Sequence, residues 1–414
     1  MDISPPDPGN NRLEPLIFFL FALPLFMAPI STSGASIAKV LFAVVWMAGG
    51  YWRGLKKAAG RAWFRPAVAL LSINLLGMLW TEDATRGLEI LSKLNWIFFA
   101  VAGATLPWKR SYFRMAVRLF LAGLFLNGII GVLQWLRLYP WRPADPIVGP
   151  VGYAGHIFLS MALANALLWI AYDLKQRQKN ENVLPLAANI ALVLLFFFQM
   201  SITGGRAGQV AFVLLLPPAL WMLYPGRWRK WAVALCALAV IGLSVSPMVQ
   251  RRVMTGINNL EQYRKGDVDT SLGLRLVFWQ GALKMAMEHP LAGVGTGDYK
   301  TEMARLQHFH AIPQTPSYPA IDHPHNSYLA YLADLGLPGL LILLWFLWTV
   351  TAEAWRSRER SAGWFKLCYM AIFLLGSLTD TLIWGFDNAT WLGIIAAIPV
   401  VFMQPDGREK EKGY

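Results

Sequence analysis

The run Met115-Ala-Val-Arg-Leu-Phe-Leu-Ala-Gly-Leu-Phe-Leu-Asn-Gly-Ile-Ile-Gly-Val-Leu-Gln-Trp-Leu136 decides the fold. It carries a single charge, Arg118, and matches the roughly 20 apolar residues that a helix needs to cross a bilayer core. Working outward, comparable runs fall near 14–31, 36–52, 66–80, 88–106, 153–172, 184–202, 207–224, 231–247, 327–350, 365–384 and 390–404. With the first, that makes about twelve spans. Only 15% of the 414 residues are charged and 56% are hydrophobic, against roughly 25% charged in a soluble domain. So few charges cannot cover a globule of this size, and the solvent for these runs is lipid. The expected fold is an all-α integral membrane protein. Cys236 and Cys368 both lie inside apolar runs, which indicates neither a disulfide framework nor a zinc site.

The net charge of +13 would suggest nucleic acid in a soluble protein. Here the excess sits in short connections between apolar runs, so it reports topology. Alternate loops and the C-terminal tail collect 21 Lys and Arg, among them Arg53, Lys56, Lys109, Lys179, Arg227, Arg356, Arg408, Lys410 and Lys412. The opposite short loops hold only four: Arg86, Arg137, Arg142 and Arg206. The positive-inside bias then puts both termini in the cytoplasm. The first span is not expected to be a cleaved signal, because Asp2, Asp7 and Glu14 outweigh Arg12 around its start. The chain divides into spans over 1–247, a long segment over 248–325 and further spans over 326–414. The long segment is expected outside as a small helical cap. Its helix over 271–288 presents Leu272, Leu276, Trp279, Leu283 and Met287 at helical spacing, a stripe that can face the membrane or the bundle.

Cations on the less basic side need a reason. Arg86 and Arg137 read as snorkelling residues at span ends. Arg206 follows Gly204 and Gly205 in a tight turn between two spans. There, helix-start amides and a guanidinium would converge on an anion, ideally a phosphate. Arg275 sits at the border of the apolar stripe on the cap helix, where it can face inward. Arg142, in a Pro-rich aromatic loop, is a third candidate. Four of the six histidines, His308, His310, His323 and His325, close the long segment. Asn326 or Ser327 can cap the helix that follows, which leaves His325 at its mouth. A helix's positive end and partial burial both disfavour an imidazolium, and an uncharged imidazole there can deprotonate a hydroxyl. A metal is the competing use. His323 and His325 with His308 or His310, or the pair Asp267 and Asp269, offer incomplete ligand sets, so none is expected. A transporter should concentrate its ionisable groups at mid-membrane, where Lys93 is the main one.

Three stretches together carry a resemblance: Arg275-Leu-Val-Phe-Trp-Gln-Gly-Ala-Leu283, His289-Pro-Leu-Ala-Gly-Val-Gly-Thr-Gly297 and His325-Asn-Ser-Tyr-Leu-Ala-Tyr-Leu-Ala-Asp-Leu-Gly-Leu-Pro-Gly339. As a set, and with the span layout, they resemble the O-antigen ligase and polymerase superfamily. The resemblance implies a GT-C-type glycosyltransferase of the bacterial inner membrane, with its active site on the periplasmic face. Such a ligase moves a glycan from an undecaprenyl-diphosphate carrier to a sugar hydroxyl of lipid A–core, completing lipopolysaccharide. It implies inversion at the anomeric carbon with neither metal nor cofactor, and membrane lipids as the surroundings. The family histidine falls on His325, and the essential arginines on Arg206 and Arg275. Arg142, Gly204, Gly205, His323 and Asn326 are expected to line the substrate site. A polymerase or a protein O-oligosaccharyltransferase is the near alternative, and a transporter the distant one.

Overall fold

A computed structural model describes residues 13–177, 183–316, 318 and 321–402. Lys179, Arg408, Lys410 and Lys412 of the charge count, and Asp2, Asp7 and Arg12 before the first span, lie outside the described residues. Among the described residues there are α-helices and short 3-10 turns but no strand; Asp145 and Gly149 form one isolated bridge. The helices are α1 (Glu14–Met27), α2 (Thr32–Ala48), α3 (Leu55–Ala59), α4 (Phe64–Gly77), α5 (Ala84–Lys93), α6 (Asn95–Thr105), α7 (Arg110–Trp135), α8 (His156–Gln176) and α9 (Leu186–Ile202). They continue as α10 (Arg206–Leu223), α11 (Arg229–Ser244), α12 (Pro247–Arg264), α13 (Ser271–Glu288), α14 (Tyr299–His308), α15 (Ser327–Arg356), α16 (Ser361–Gly376) and α17 (Phe386–Ala397).

Among the described residues each apolar run contains a helix, and the chain is a multi-pass membrane protein. Five helices are long and apolar enough to cross unaided: α5 with α6, α7, α8, α10 and α15. Two bent pairs pass the same test of length and composition only when each is taken together: α2 with residues 51–59, and α11 with α12, whose second half turns away by 75° into the long segment. The first bend, 84°, follows Gly49-Gly50, where Gly50 takes φ +69. The last apolar run differs from the expected 390–404. Its helix starts at Phe386 and stops at Ala397, because Ile398 precedes Pro399 and is driven to ψ 121. Helices α1, α4, α9 and α16 are apolar but shorter, and α1 and α16 bury much of their surface against neighbours.

The long segment contains three helices, α12, α13 and α14, where the sequence suggested at least one. On α13 the packed face is Gly273, Val277, Phe278, Gly281, Ala282 and Met285. The expected stripe lies largely on the other side, with Leu283 47% and Met287 74% exposed. Small residues favour this face: a Cβ on Gly281 would sit 2.1 Å from the Met303 sulfur of α14, which would have to move aside. Leu283 and Met287 are left exposed, while Leu272, Leu276 and Trp279 stay half-buried. Val277, Phe278, Met285, Tyr299 and Met303 form a small core that also takes in Ala333 of α15, welding the cap to that helix.

Helix α15 breaks at Gly336, which has φ 66 and ψ −165. Pro338 has no N–H to offer the Asp334 carbonyl, so the break frees acceptors that need other donors. The 289–297 motif supplies them. Val294 N–H donates to the Ala333 carbonyl (3.0 Å), Gly295 N–H to the Asp334 carbonyl (2.9 Å), and Leu337 N–H turns to the Pro290 carbonyl (2.8 Å). Gly297 N–H reaches the Asp334 carboxylate at 3.0 Å. A Cβ on Gly293 would lie 2.3 Å from the Asp334 backbone, so this brace requires glycine. The motif therefore holds the helix whose first turn presents His325. Arg86 belongs to the same framework and is not a snorkeller. Its side chain is 12% exposed and pairs with Glu89 and, at 2.9 Å, with Asp322. Arg137 ends α7 exposed, with φ 61.

Candidate functional site

The site starts at the cap of α15. The Asn326 side-chain oxygen accepts from the Tyr328 and Leu329 amides (2.9 and 3.1 Å), and its amide nitrogen donates to the Leu378 carbonyl. Ser327 N–H donates to the Ser377 carbonyl (2.8 Å), which stitches the turn after α16 to the start of α15. His325, just before the cap, is left-handed with φ 49, a conformation that costs a non-glycine residue about 1–3 kcal/mol. Three contacts hold it there. Its N–H donates to His323 Nδ1 at 3.2 Å, Trp279 Nε1 pins the Pro324 carbonyl at 3.0 Å, and the Phe278 ring lies 6.0 Å from the His325 ring.

His325 Nδ1 is 3.0 Å from Asp380 Oδ1. Burial works against the Asp380 charge. The His325 hydrogen bond, the adjacent histidine pair and the Thr381 N–H outweigh it and hold the carboxyl below its ordinary value. An ionised carboxylate fixes the proton on Nδ1, which leaves Nε2 with its lone pair free to take another. His323 is pushed down to about 4, mainly by burial and then by the charge that His325 carries once protonated. It therefore stays neutral, with Nδ1 accepting, until pH falls toward that value. This is the state in which it can hold the His325 backbone.

Beside this pair stand three guanidinium groups. Arg206 opens α10 and donates to Ser271 Oγ at 3.2 Å, at the start of α13. Arg275 is one turn further along α13, and Arg252 lies on α12 one turn before Gly256. A Cβ on Gly256 would be 3.8 Å from Arg206 Nη1. Burial and then the charge of Arg206 lower the pKa of Arg275, with Asp380 partly offsetting them. Burial and Arg206 do the same to Arg252, offset by Asp145. His156, first residue of α8, lies within electrostatic reach of Arg252, Arg275 and Asp380. Among the described residues, none of the three arginines has a carboxylate partner, and Arg252 Nε is buried without an acceptor. Half-buried cations that repel one another and lack an anion form a pocket for one.

The remaining candidates fall as follows. Gly204 N–H already donates to the Val148 carbonyl at 2.7 Å, so it is spent within the fold. Its lack of a side chain admits Arg252, whose Nη2 would lie 2.7 Å from a Cβ there. Gly205 is the N-cap of α10 and packs on Ser160 and the His156 carbonyl of α8. Arg142 is exposed and lies over the Tyr153 ring at 5.1 Å. Asn326 acts as the cap just described. Asp267 accepts the Asp269 N–H at 3.0 Å, a local turn. His308 and His310 are exposed and stand apart from the other pair. The third member beside His323 and His325 is Asp380; one ligand atom from each lies within 4.8 Å of the others, a set that could hold a divalent ion.

Arg252, Asp380 and His156 were not among the sequence candidates. Arg252 looked like one of several cap charges, and Asp380 fell inside an apolar run. Its position just beyond Gly376, where α16 stops, is the signal that would have marked it as an end-of-helix group.

Residues 190–344 match the family model described as O-antigen ligase. The match runs from α9 into α15 and contains all three arginines, His323 and His325. A protein of Haemophilus influenzae described as uncharacterized is 23% identical over 232 residues, covering 54% of this chain and 56% of its own length. The chain thus matches little more than half of that relative. Over residues 190–344, this membrane protein is thus similar to the O-antigen ligase family.

Proposed function

We propose that the chain is an O-antigen ligase. It transfers a polysaccharide from undecaprenyl diphosphate to a sugar hydroxyl of lipid A–core, at the periplasmic face of the bacterial inner membrane. In this reading it is a GT-C-type enzyme with about twelve crossings and both termini in the cytoplasm, as the distribution of Lys and Arg supports. The observation that carries the proposal is three guanidinium groups, without a carboxylate partner among the described residues, beside an imidazole–carboxylate pair.

The chemistry follows from that pairing. The acceptor hydroxyl gives its proton to His325 Nε2 while its oxygen attacks the anomeric carbon from the face opposite the diphosphate. The glycosidic C–O bond breaks, and its electrons leave on the diphosphate. Arg206, Arg252 and Arg275 balance the charge that develops there, taking the place of a metal. Asp380 stabilises the imidazolium that results. A single displacement of this kind inverts the configuration and needs no carboxylate nucleophile.

The test is reconstitution with lipid-linked glycan and lipid A–core in the presence of a chelator. Product on the core is expected. Elongation of the carrier-bound chain would point to a polymerase, product on protein to an O-oligosaccharyltransferase, and no covalent product to transport. The grouping of His323, His325 and Asp380 favours one second reading, in which a divalent ion replaces the free base. Loss of transfer in chelator, restored by a divalent metal, would support that reading over the metal-free one.

A further inference from the structure

A cavity of about 230 Å³ lies between α2, the α5–α6 junction and α17, with none of the three arginines in its lining. Lys39, Lys93, Asn95, Trp384 and Thr390 line it. Lys39 is 9% exposed; its Nζ donates to Asn95 Oδ1 and Thr390 Oγ1, both at 3.2 Å, and lies 4.1 Å from the centre of the Phe386 ring. The charge of Asp387 reaches it, but no ion pair forms among the described residues. Lys93 pairs with Glu89 at 2.8 Å and keeps 30% of its side chain exposed.

Two features tie this cavity to the site. Trp384 N–H donates to the Thr381 carbonyl in the turn that carries Asp380, and the charge of Lys93 reaches His323. The cavity therefore flanks the histidines, while Arg275 and Phe278 belong to the cap helix α13. Asn95 also borders a second space, an apolar groove of about 690 Å³ along α4 and α6 that runs from Leu55 and Lys56 to Leu91. Two cations thus sit at the end of a long apolar trough that opens on the side of the bundle. That is the shape and charge of a lipid with an anionic head and acyl tails.

We propose that this paired cavity and groove bind the acceptor, a phosphorylated and acylated glycolipid, with its phosphate between Lys39 and Lys93 and an acyl chain along the groove. The assignment rests on the ligase reading. Donor and acceptor then approach His325 from different sides, and the hydroxyl to be glycosylated is delivered by a lipid already anchored beside the base.

The experiment uses the full chain in detergent or nanodiscs, with Lys39→Gln and Lys93→Gln. Gln retains hydrogen bonding at Lys39 without the charge, and the partly exposed Lys93 provides a variant less prone to misfold. Binding of phosphorylated lipid A is read by native mass spectrometry, with its dephosphorylated form and phosphatidylglycerol as controls. Wild type should prefer phosphorylated lipid A over the dephosphorylated form by about tenfold, the scale of one charge-assisted contact, and each variant should lose that preference. Equal retention of phosphatidylglycerol would make this a general anionic-lipid site and overturn the proposal, as would an unchanged preference in Lys93→Gln. Binding is measured without turnover, so an inactive wild type would count against the ligase reading and not against this site. In active protein, the KM for acceptor should rise in the variants while the KM for lipid-linked glycan stays constant. A rise in the donor KM alone would contradict the assignment.

Discussion

His325→Ala is expected to lower glycan transfer by about 10²–10⁴-fold, the range that a positioned general base supplies, while membrane insertion and donor binding persist. The expectation rests on tautomer and backbone together. Asp380 occupies Nδ1 at 3.0 Å, so Nε2 is the nitrogen left to accept a proton. The left-handed backbone and the His323 contact fix where that nitrogen points. Asp380→Asn keeps the shape and removes the charge. It should cost about tenfold or more, the scale of a charge-assisted hydrogen bond, with the loss in kcat and little change in the donor KM. His323, held near 4 chiefly by burial, stays neutral from pH 5 to 8 and adds no limb to the pH profile in that window. Steady-state kinetics on both variants check this. Normal turnover by His325→Ala would remove the base from the scheme.

The second large effect falls on the arginines. Arg275→Lys and Arg206→Lys keep a positive charge but lose the planar fork that meets a diphosphate with two bonds, and each is expected to reduce kcat/KM by about 10²-fold. Arg252→Lys should behave alike, although no local pattern singles it out. The three act on one anion, so a double replacement should cost less than the product of the single losses. The corresponding Arg142→Lys change should be nearly silent, because that side chain lies exposed over Tyr153. Full activity in Arg275→Lys would contradict bidentate binding.

Much of this was legible in the residues, for physical reasons. A run such as 115–136 has no soluble use, so helical membrane character follows from composition. Arg206 and Arg275 stood out because cations on the less basic side need an explanation, and His325 because a capping residue follows it. What stayed hidden depends on packing. The face that α13 buries is set by Gly281 and Ala282 and not by its largest side chains. The break at Gly336 could be read from Gly336 and Pro338, but not the fact that the 289–297 loop satisfies the carbonyls it frees. Asp380 and Arg252 join the site through tertiary contacts between elements far apart in the chain, which no local pattern encodes.

The most direct measurement is an experimental map of the protein with an undecaprenyl-diphosphate donor analogue bound. Diphosphate oxygens are expected within hydrogen-bond reach of Arg206, Arg252 and Arg275, with the first sugar turned toward His325 Nε2. Diphosphate density elsewhere, whether between Lys39 and Lys93 or at the opposite end of the bundle, would contradict it.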